Sequence, residues 1–303
     1  MTVATGGQFH VPGFRLGHWT HDTAKTGCTV VVADALVPAA VDVRGGAPGT
    51  RETDLLSAGK SVGRLDAAVL TGGSAFGLAC ADGVMALLQE QGRGYPTPVA
   101  PVPIVAGAVI FDLVSNNITW PAASAGYEAA STASEEWSGG SIGGGRGASV
   151  SKILGREHAI PTGVGVAQVN CSAGLVTAVF VNNAFGDVVS PETGKPVTTP
   201  GRGDRSSVDV LLDTSPPASE SSNTVIGAIT VSRPLDQDSL NRIAVSGQAG
   251  VAVAIRPAHT PADGDTVFAL STGEGTCTPQ ELMQLTTAAQ QAAIHAIVST
   301  VRQ

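Results

Sequence analysis

Aromatic residues are scarce in this chain, at 4% of 303 residues, and charged residues make up only 14%. The net charge is −8, so there is none of the basic footprint that a nucleic-acid partner demands. The acidity is dispersed and serves solubility most simply. Cysteine is confined to Cys28, Cys80, Cys171 and Cys277, with no CxxC spacing. That argues against a disulfide framework and predicts buried free thiols in a reducing compartment. Long apolar runs are missing too. The longest, around 102–114, is broken by Pro103 and Asp112, which excludes a membrane span. Residues 1–13 show no basic region followed by an apolar run, so no signal peptide is expected. These absences predict a soluble, cytoplasmic protein with no membrane partner.

What is present is glycine, at 38 residues, within a chain that is 43% hydrophobic. Abundant glycine predicts tight turns and close packing of backbone on backbone. The length suffices for one large domain or two intimate ones. Buried strands are expected at 27–33, 66–71, 102–113, 224–231 and 266–270, and a hairpin from 163–169 and 175–181 about Ser172-Ala173-Gly174. Apolar residues recur at helical spacing over 75–91 and 238–255. A long helix over 278–301 is announced by Thr278-Pro279 with Glu281 three residues past the cap. The stretch 138–147 reads as a glycine-rich loop, and 190–223 as a long exposed connection. Helices and strands mix without regular βαβ alternation.

Several motifs fail on inspection. Gly72-Gly73-Ser74-Ala75-Phe76-Gly77 departs from the GxSxG elbow because Phe76 stands where the second glycine belongs. Gly59-Lys60-Ser61 lacks the first glycine of a phosphate loop, since Asp54 holds that place. His18 and His21 have no third ligand in view, so no metal is expected. Arg202-Gly203-Asp204 reads as loop composition. No motif asks for a cofactor.

The step Asn223-Thr224 is different. A loop of Ser, Pro and Glu runs there straight into the apolar, β-branched strand Thr224-Val225-Ile226-Gly227-Ala228-Ile229. Within a peptide bond Thr224 is a poor nucleophile. Cut before it, and it gains an α-amine of pKa about 8 beside its own hydroxyl, a built-in general base.

Several blocks together resemble the P1 family of aminopeptidases, the L-aminopeptidase/D-esterase group (peptidase family S58) that includes β-peptidyl aminopeptidases and the nylon-oligomer endo-hydrolase. They are Val41-Asp42-Val43-Arg44-Gly45-Gly46-Ala47-Pro48-Gly49-Thr50-Arg51, Leu70-Thr71-Gly72-Gly73-Ser74-Ala75-Phe76-Gly77, Val181-Asn182-Asn183-Ala184-Phe185-Gly186-Asp187, Asn223-Thr224, and His259-Thr260-Pro261-Ala262-Asp263-Gly264-Asp265-Thr266. The resemblance runs from about residue 11 to residue 271. It implies an α+β fold, an α/β/β/α sandwich resembling N-terminal-nucleophile hydrolases, in one domain over 1–303. It implies self-cleavage into an α chain, 1–223, and a β chain, 224–303, with αβ units assembled into homo-oligomers.

The same resemblance assigns roles. Thr224 is the nucleophile and Asn223-Thr224 the cleavage site. Asn183, or Asn182 beside it, donates to the oxyanion. Lys152 stabilises charge near the threonine, and Asp263 and Asp265 hold an amine. The substrate implied is a small peptide or amide. Alternation about Gly264 predicts that the two aspartates point the same way. Where some members carry a substrate-contacting tyrosine, this chain has Ile110 and Phe111. Two other readings compete: an acyltransferase resembling ornithine acetyltransferase, and a non-catalytic scaffold on the same fold.

Overall fold

The computed structural model describes residues 2–113, 118–213 and 223–301. Its principal strands are β1 (Phe14–Thr20), β2 (Gly27–Val43), β3 (Arg64–Thr71), β4 (Val105–Val109), β5 (Val164–Cys171), β6 (Gly174–Asn183), β7 (Thr224–Val231) and β8 (Thr266–Ser271). The helices are α1 (Cys80–Glu90), α2 (Ala123–Ser131), α3 (Ser207–Asp213), α4 (Gln237–Ala254) and α5 (Pro279–Ser299).

β2 organises the molecule. Its first part pairs with β1 and β3, and its last residues pair with β8, from Ala39 opposite Leu270 to Val43 opposite Thr266. The register slips between Val32 and Val37, which lets one strand leave one sheet and enter another. One sheet is thus β1, β2, β3 and β4; the other is β5, β6, β7, β8 and the end of β2.

Three buried apolar clusters separate four layers. Val31, Leu70 and Ala108 meet Val179, Val181, Ile226 and Phe268 between the sheets. Ala178, Phe180 and Ile229 face the opposite way, onto Leu240 and Ile243 of α4 and Ala292 and Ile297 of α5. Val30, Val69 and Val105 pack under Val84 of α1 and Ala129 of α2. This is the α/β/β/α order that the family resemblance implies. Both faces of β7 are covered, which is why it reads as an unbroken apolar run and not as an alternation. The scarcity of aromatics has a structural echo here. Phe180 lies opposite Gly227 across the β6–β7 ladder, and a Cβ on Gly227 would sit 2.4 Å from the ring. Truncating Phe180 would cost about 3–5 kcal/mol by cavity formation.

The caps follow the sequence. Thr278 Oγ1 accepts from Glu281 N and the Glu281 side chain accepts from Thr278 N, closing the capping box of α5. Asp236 caps α4 through Ser239 N.

Some expectations need correction. The helix expected over 75–91 begins as a 3-10 turn, Ser74–Ala79, before α1. The strand expected over 102–113 is only β4. The glycine-rich stretch is packed: Gly143, Gly144 and Gly145 are buried, and Thr20 and Thr29 hydroxyls accept from Gly143 N and Gly144 N. The connection 190–223 is not simply exposed. Ser190, Thr198, Ser207 and Val210 are buried and α3 lies within it, while its part 214–222 lies outside the described residues. No helix among the described residues is long and apolar enough to cross a membrane.

Candidate active site

Thr224 opens β7 and lies opposite Asn183, the last residue of β6, so the ladder sets these two side by side. Both are buried, as are Asn223, Lys152, Asp263 and Asp265. Thr224 Oγ1 donates to the carbonyl oxygen of Asn223, the peptide immediately before it. Gly264 N donates to the same oxygen at 3.1 Å, and Asn223 forms a parallel bridge with Asp263. A Cβ on Gly264 would lie 2.5 Å from the Ala47 carbonyl, so only glycine fits at this approach. Among the described residues neither side-chain atom of Asn223 has a hydrogen-bond partner. Such buried orphans cost about 1–3 kcal/mol each.

Lys152 reaches this point from a sharp turn. Ser151 takes the left-handed φ of 62° and is held by Thr198, with Ser151 Oγ donating 2.7 Å to Thr198 Oγ1. The turn sends the Lys152 ammonium inward, 2.8 Å from Asn183 O and 2.7 Å from Asn183 Oδ1. Ser149 N also donates to Asn183 Oδ1 at 3.1 Å. Two donors on one oxygen fix the amide orientation and leave Asn183 Nδ2 directed at Phe111 O, 3.4 Å away. Burial pushes the Lys152 pKa well below its ordinary value; Arg156 pushes it further, while Asp263 and Asp112 oppose.

Arg156 explains what Phe111 does. The guanidinium donates to Phe111 O and Leu113 O at 2.8 and 2.7 Å and stacks 5.2 Å from the Phe111 ring centroid. Phe111, in the stretch where the family resemblance implies a tyrosine in some members, here anchors a cation. Next to it, burial raises the Asp112 carboxyl to about 6, against a hydrogen bond from Gly73 N at 2.7 Å. That bond braces the Gly72-Gly73-Ser74 turn, the motif that resembles a nucleophile elbow.

Asp263 and Asp265 stand near one another but hold different partners. Asp263 Oδ2 accepts from Thr260 N and Oγ1 at 2.9 and 2.6 Å. Asp265 Oδ1 accepts from Val225 N at 2.7 Å, and its Oδ2 from His259 Nδ1 at 2.7 Å and His259 N at 3.2 Å. Burial, and then the charge of Asp265, raise the Asp263 pKa.

Sequence reasoning missed five residues. His259 heads the block that contains the aspartates, yet nothing in its spacing marks it as a partner of Asp265. Arg156 has no sequence signal. Asp187 and Arg202 form an ion pair whose side chains are 0% and 2% exposed, so Arg202 is not loop composition. Ser207 completes the clip, with Oγ donating 2.8 Å to Asp187 Oδ1. Asp187 had a signal, since it closes the block containing Asn183.

Chemically, a hydroxyl on a pinned carbonyl, a buried amine, an amide donor and paired carboxylates suit acyl transfer through an oxygen nucleophile.

Comparison with known proteins places the chain in a family. The profile of peptidase family S58 matches residues 9–303. An uncharacterized aminopeptidase of Mycobacterium tuberculosis is 41% identical over 290 residues, covering 89% of this chain and 82% of that protein. A 6-aminohexanoate-oligomer endohydrolase of Agromyces sp. is 31% identical over 279 residues, covering 88% and 75%. Among solved structures, the L-aminopeptidase D-Ala-esterase/amidase of Ochrobactrum anthropi superposes with a TM-score of 0.72 at 18% identity, covering 99% of this chain and 87% of that one. It is described as a variant of the N-terminal-nucleophile hydrolase fold, and the likeness is one of fold.

Proposed function

The chain belongs to peptidase family S58, and from that premise we propose that it is a self-cleaving amidohydrolase that removes N-terminal residues from small peptides or amides. The observation that carries the proposal is the Thr224 hydroxyl seated on the carbonyl of its own preceding peptide, which Gly264 N also pins.

In the precursor, Thr224 Oγ attacks the Asn223 carbonyl carbon. Gly264 N–H sits at the oxygen that takes up the negative charge. The C–N bond breaks, the nitrogen takes up the Oγ proton and leaves as the Thr224 α-amine, and an ester joins Asn223 to Thr224 Oγ. Water cleaves that ester. The products are an α chain, 1–223, and a β chain, 224–303. Cleavage lets Asn223 leave a place in which its side-chain amide is unsatisfied, and that favours the forward step.

In the mature enzyme the same oxygen attacks the substrate carbonyl and the α-amine takes its proton; the substrate C–N bond breaks, the proton passes to the leaving amine, and water cleaves the ester left on Thr224 Oγ. Asn183 donates from Nδ2 to the oxyanion; loss of such a donor costs about 10²–10³ in rate. Lys152 orients Asn183 and, with its lowered pKa, is neutral at lower pH than a solvated lysine. Asp263 and Asp265 hold the new ammonium or the substrate amine. The Agromyces relative is named for oligomers of an unbranched amino acid, which supports linear amides as one substrate class to assay. Homo-oligomers of αβ units and a cytoplasmic location complete the reading.

The test is a denaturing gel with intact mass. The 30.3 kDa chain should yield two fragments, the smaller beginning at Thr224. Thr224→Ala should stay whole and inactive. A wild-type chain still full-length after prolonged incubation would defeat the proposal.

A further inference from the structure

We propose that His259 is a positioning residue for the Thr224 site, acting as an imidazolium that locks Asp265 onto the first peptide of β7. The inference rests on the reading of Thr224 as nucleophile and adds a residue to it.

The argument starts from the ring. His259 Nδ1 lies 2.7 Å from Asp265 Oδ2, and Nε2 lies 3.3 Å from Gln248 O. Both partners are acceptors with no proton to offer. A neutral imidazole has one N–H, so one of its nitrogens would face an acceptor with a lone pair; only the doubly protonated ring donates to both. The backbone is arranged for the same purpose. His259 takes the left-handed φ of 55°, uncommon outside glycine, and this directs its own N–H onto Asp265 Oδ2 at 3.2 Å. A strained residue that grips one carboxylate oxygen with both ring and backbone is a constraint aimed at that carboxylate.

Asp265 passes the constraint on. Its other oxygen accepts from Val225 N at 2.7 Å, one residue from Thr224. The position of the nucleophile is thereby tied, through one carboxylate, to one ring. The charged groups facing the ring are few. Asp265 is in contact and Asp263 stands beyond it. Arg44, at the end of β2 and paired with Asp42, opposes the cation. Gln248 of α4 presents a neutral carbonyl.

The sign of the pH dependence follows. Burial alone would lower the His259 pKa, but the hydrogen bond and charge of Asp265 outweigh it and raise the pKa above the ordinary 6.5. The cation is therefore complete below 6.5 and is lost as pH rises through the raised value. Its side chain is 19% exposed, so protons reach it. The Thr224 amine needs the opposite change, since it must lose a proton to act as base. Turnover should thus have an acid limb from Thr224 and an alkaline limb from His259.

The experiment compares wild type, His259→Ala, His259→Asn and Thr224→Ala on an aminoacyl p-nitroanilide across pH, with rates normalised to the cleaved fraction on a gel. Asparagine tolerates the left-handed conformation and places an uncharged donor near the Nδ1 position. His259→Ala should lose roughly ten- to a hundredfold in kcat, the scale of a misplaced reacting group, with KM changed by less than about twofold. His259→Asn should recover most of kcat and lack the alkaline limb. If Ala folds poorly, the Asn variant carries the test. Wild-type kcat in the Ala variant, no recovery in Asn, or an unchanged alkaline limb in Asn would each overturn the assignment. Full activity in Thr224→Ala would instead sink the nucleophile reading beneath it.

Discussion

Replacing Lys152 by methionine separates stability from catalysis at this site. The change keeps the chain length and removes the charge. Among the described residues two contacts vanish, to Asn183 O at 2.8 Å and to Oδ1 at 2.7 Å. Hydrogen bonds to a charged group are worth about 1.5–3 kcal/mol each, so the gross loss is about 3–6 kcal/mol. The substitution also removes the penalty of holding an ammonium in the interior, which is several kcal/mol. The lowered pKa says that penalty prevails over the local attractions. Asn183 Oδ1 keeps its bond from Ser149 N at 3.1 Å. The two terms oppose one another and are of similar size, so the net change in stability should stay within about 2 kcal/mol in either direction, a shift of a few degrees in Tm. Catalysis has no such compensation. Self-cleavage should slow by about 10²–10³, or roughly 2.7–4 kcal/mol of barrier. The assay is the time course of the full-length band after expression, read beside a thermal melt. Cleavage within about threefold of wild type would remove Lys152 from the mechanism, since a slowing of the predicted size is far larger. A collapse of Tm by tens of degrees would refute the desolvation argument.

Other expectations concern the surroundings. Arg202→Ala strands the fully buried Asp187 and should cost about 3–5 kcal/mol in denaturant unfolding, whereas the double variant Asp187→Asn/Arg202→Met should recover part of it. If the single variant is neutral, the clip is not holding the 198–207 segment. Asp112 has its pKa raised from 3.8 to about 6, so the native state binds more protons than the unfolded one between those values and stability falls as pH rises through that window. Asp112→Asn should therefore gain up to about 3 kcal/mol over wild type at pH near 7 and little at pH near 4. Equal gains at both pH values would show that the carboxyl does not titrate in that window.

The strand at Thr224 is legible because burial on both faces writes itself as an unbroken β-branched run. Its pairing with Asn183 is less so. The hairpin about Ser172-Ala173-Gly174 predicts β5 against β6, but the β6–β7 ladder spans 41 residues from Asn183 to Thr224 and no local pattern reports it. The fourth layer is hidden for a similar reason. A 17-residue strand reads as a short apolar run at 27–33, because the sheet change near Val32 to Val37 interrupts its periodicity. Lys152 is invisible as a buried group: lysine is ordinarily solvated, and only the positive φ of Ser151 turns it inward. Arg202 misleads in the opposite way, since a Pro-, Ser- and Gly-rich neighbourhood suggests solvent while its guanidinium meets a carboxylate in the interior. Backbone turns and long-range charge pairs decide these positions, and neither has a sequence period.

The place of Asn223-Thr224 at the head of a central strand has a consequence for how the protein is made and lost. β6 belongs to one side of that bond; β7, β8, α4 and α5 belong to the other, and they share one apolar cluster. An intact chain assembles this cluster in a unimolecular search. After a cut, the same cluster holds two polymers together, and anything that melts it sets them adrift at the mercy of dilution. The precursor should refold from denaturant independently of concentration; the mature pair should regain activity only by a second-order encounter. Peptide hydrolysis would then act as a ratchet: a fold reached once by a single chain and afterwards kept by the slowness of its own unfolding.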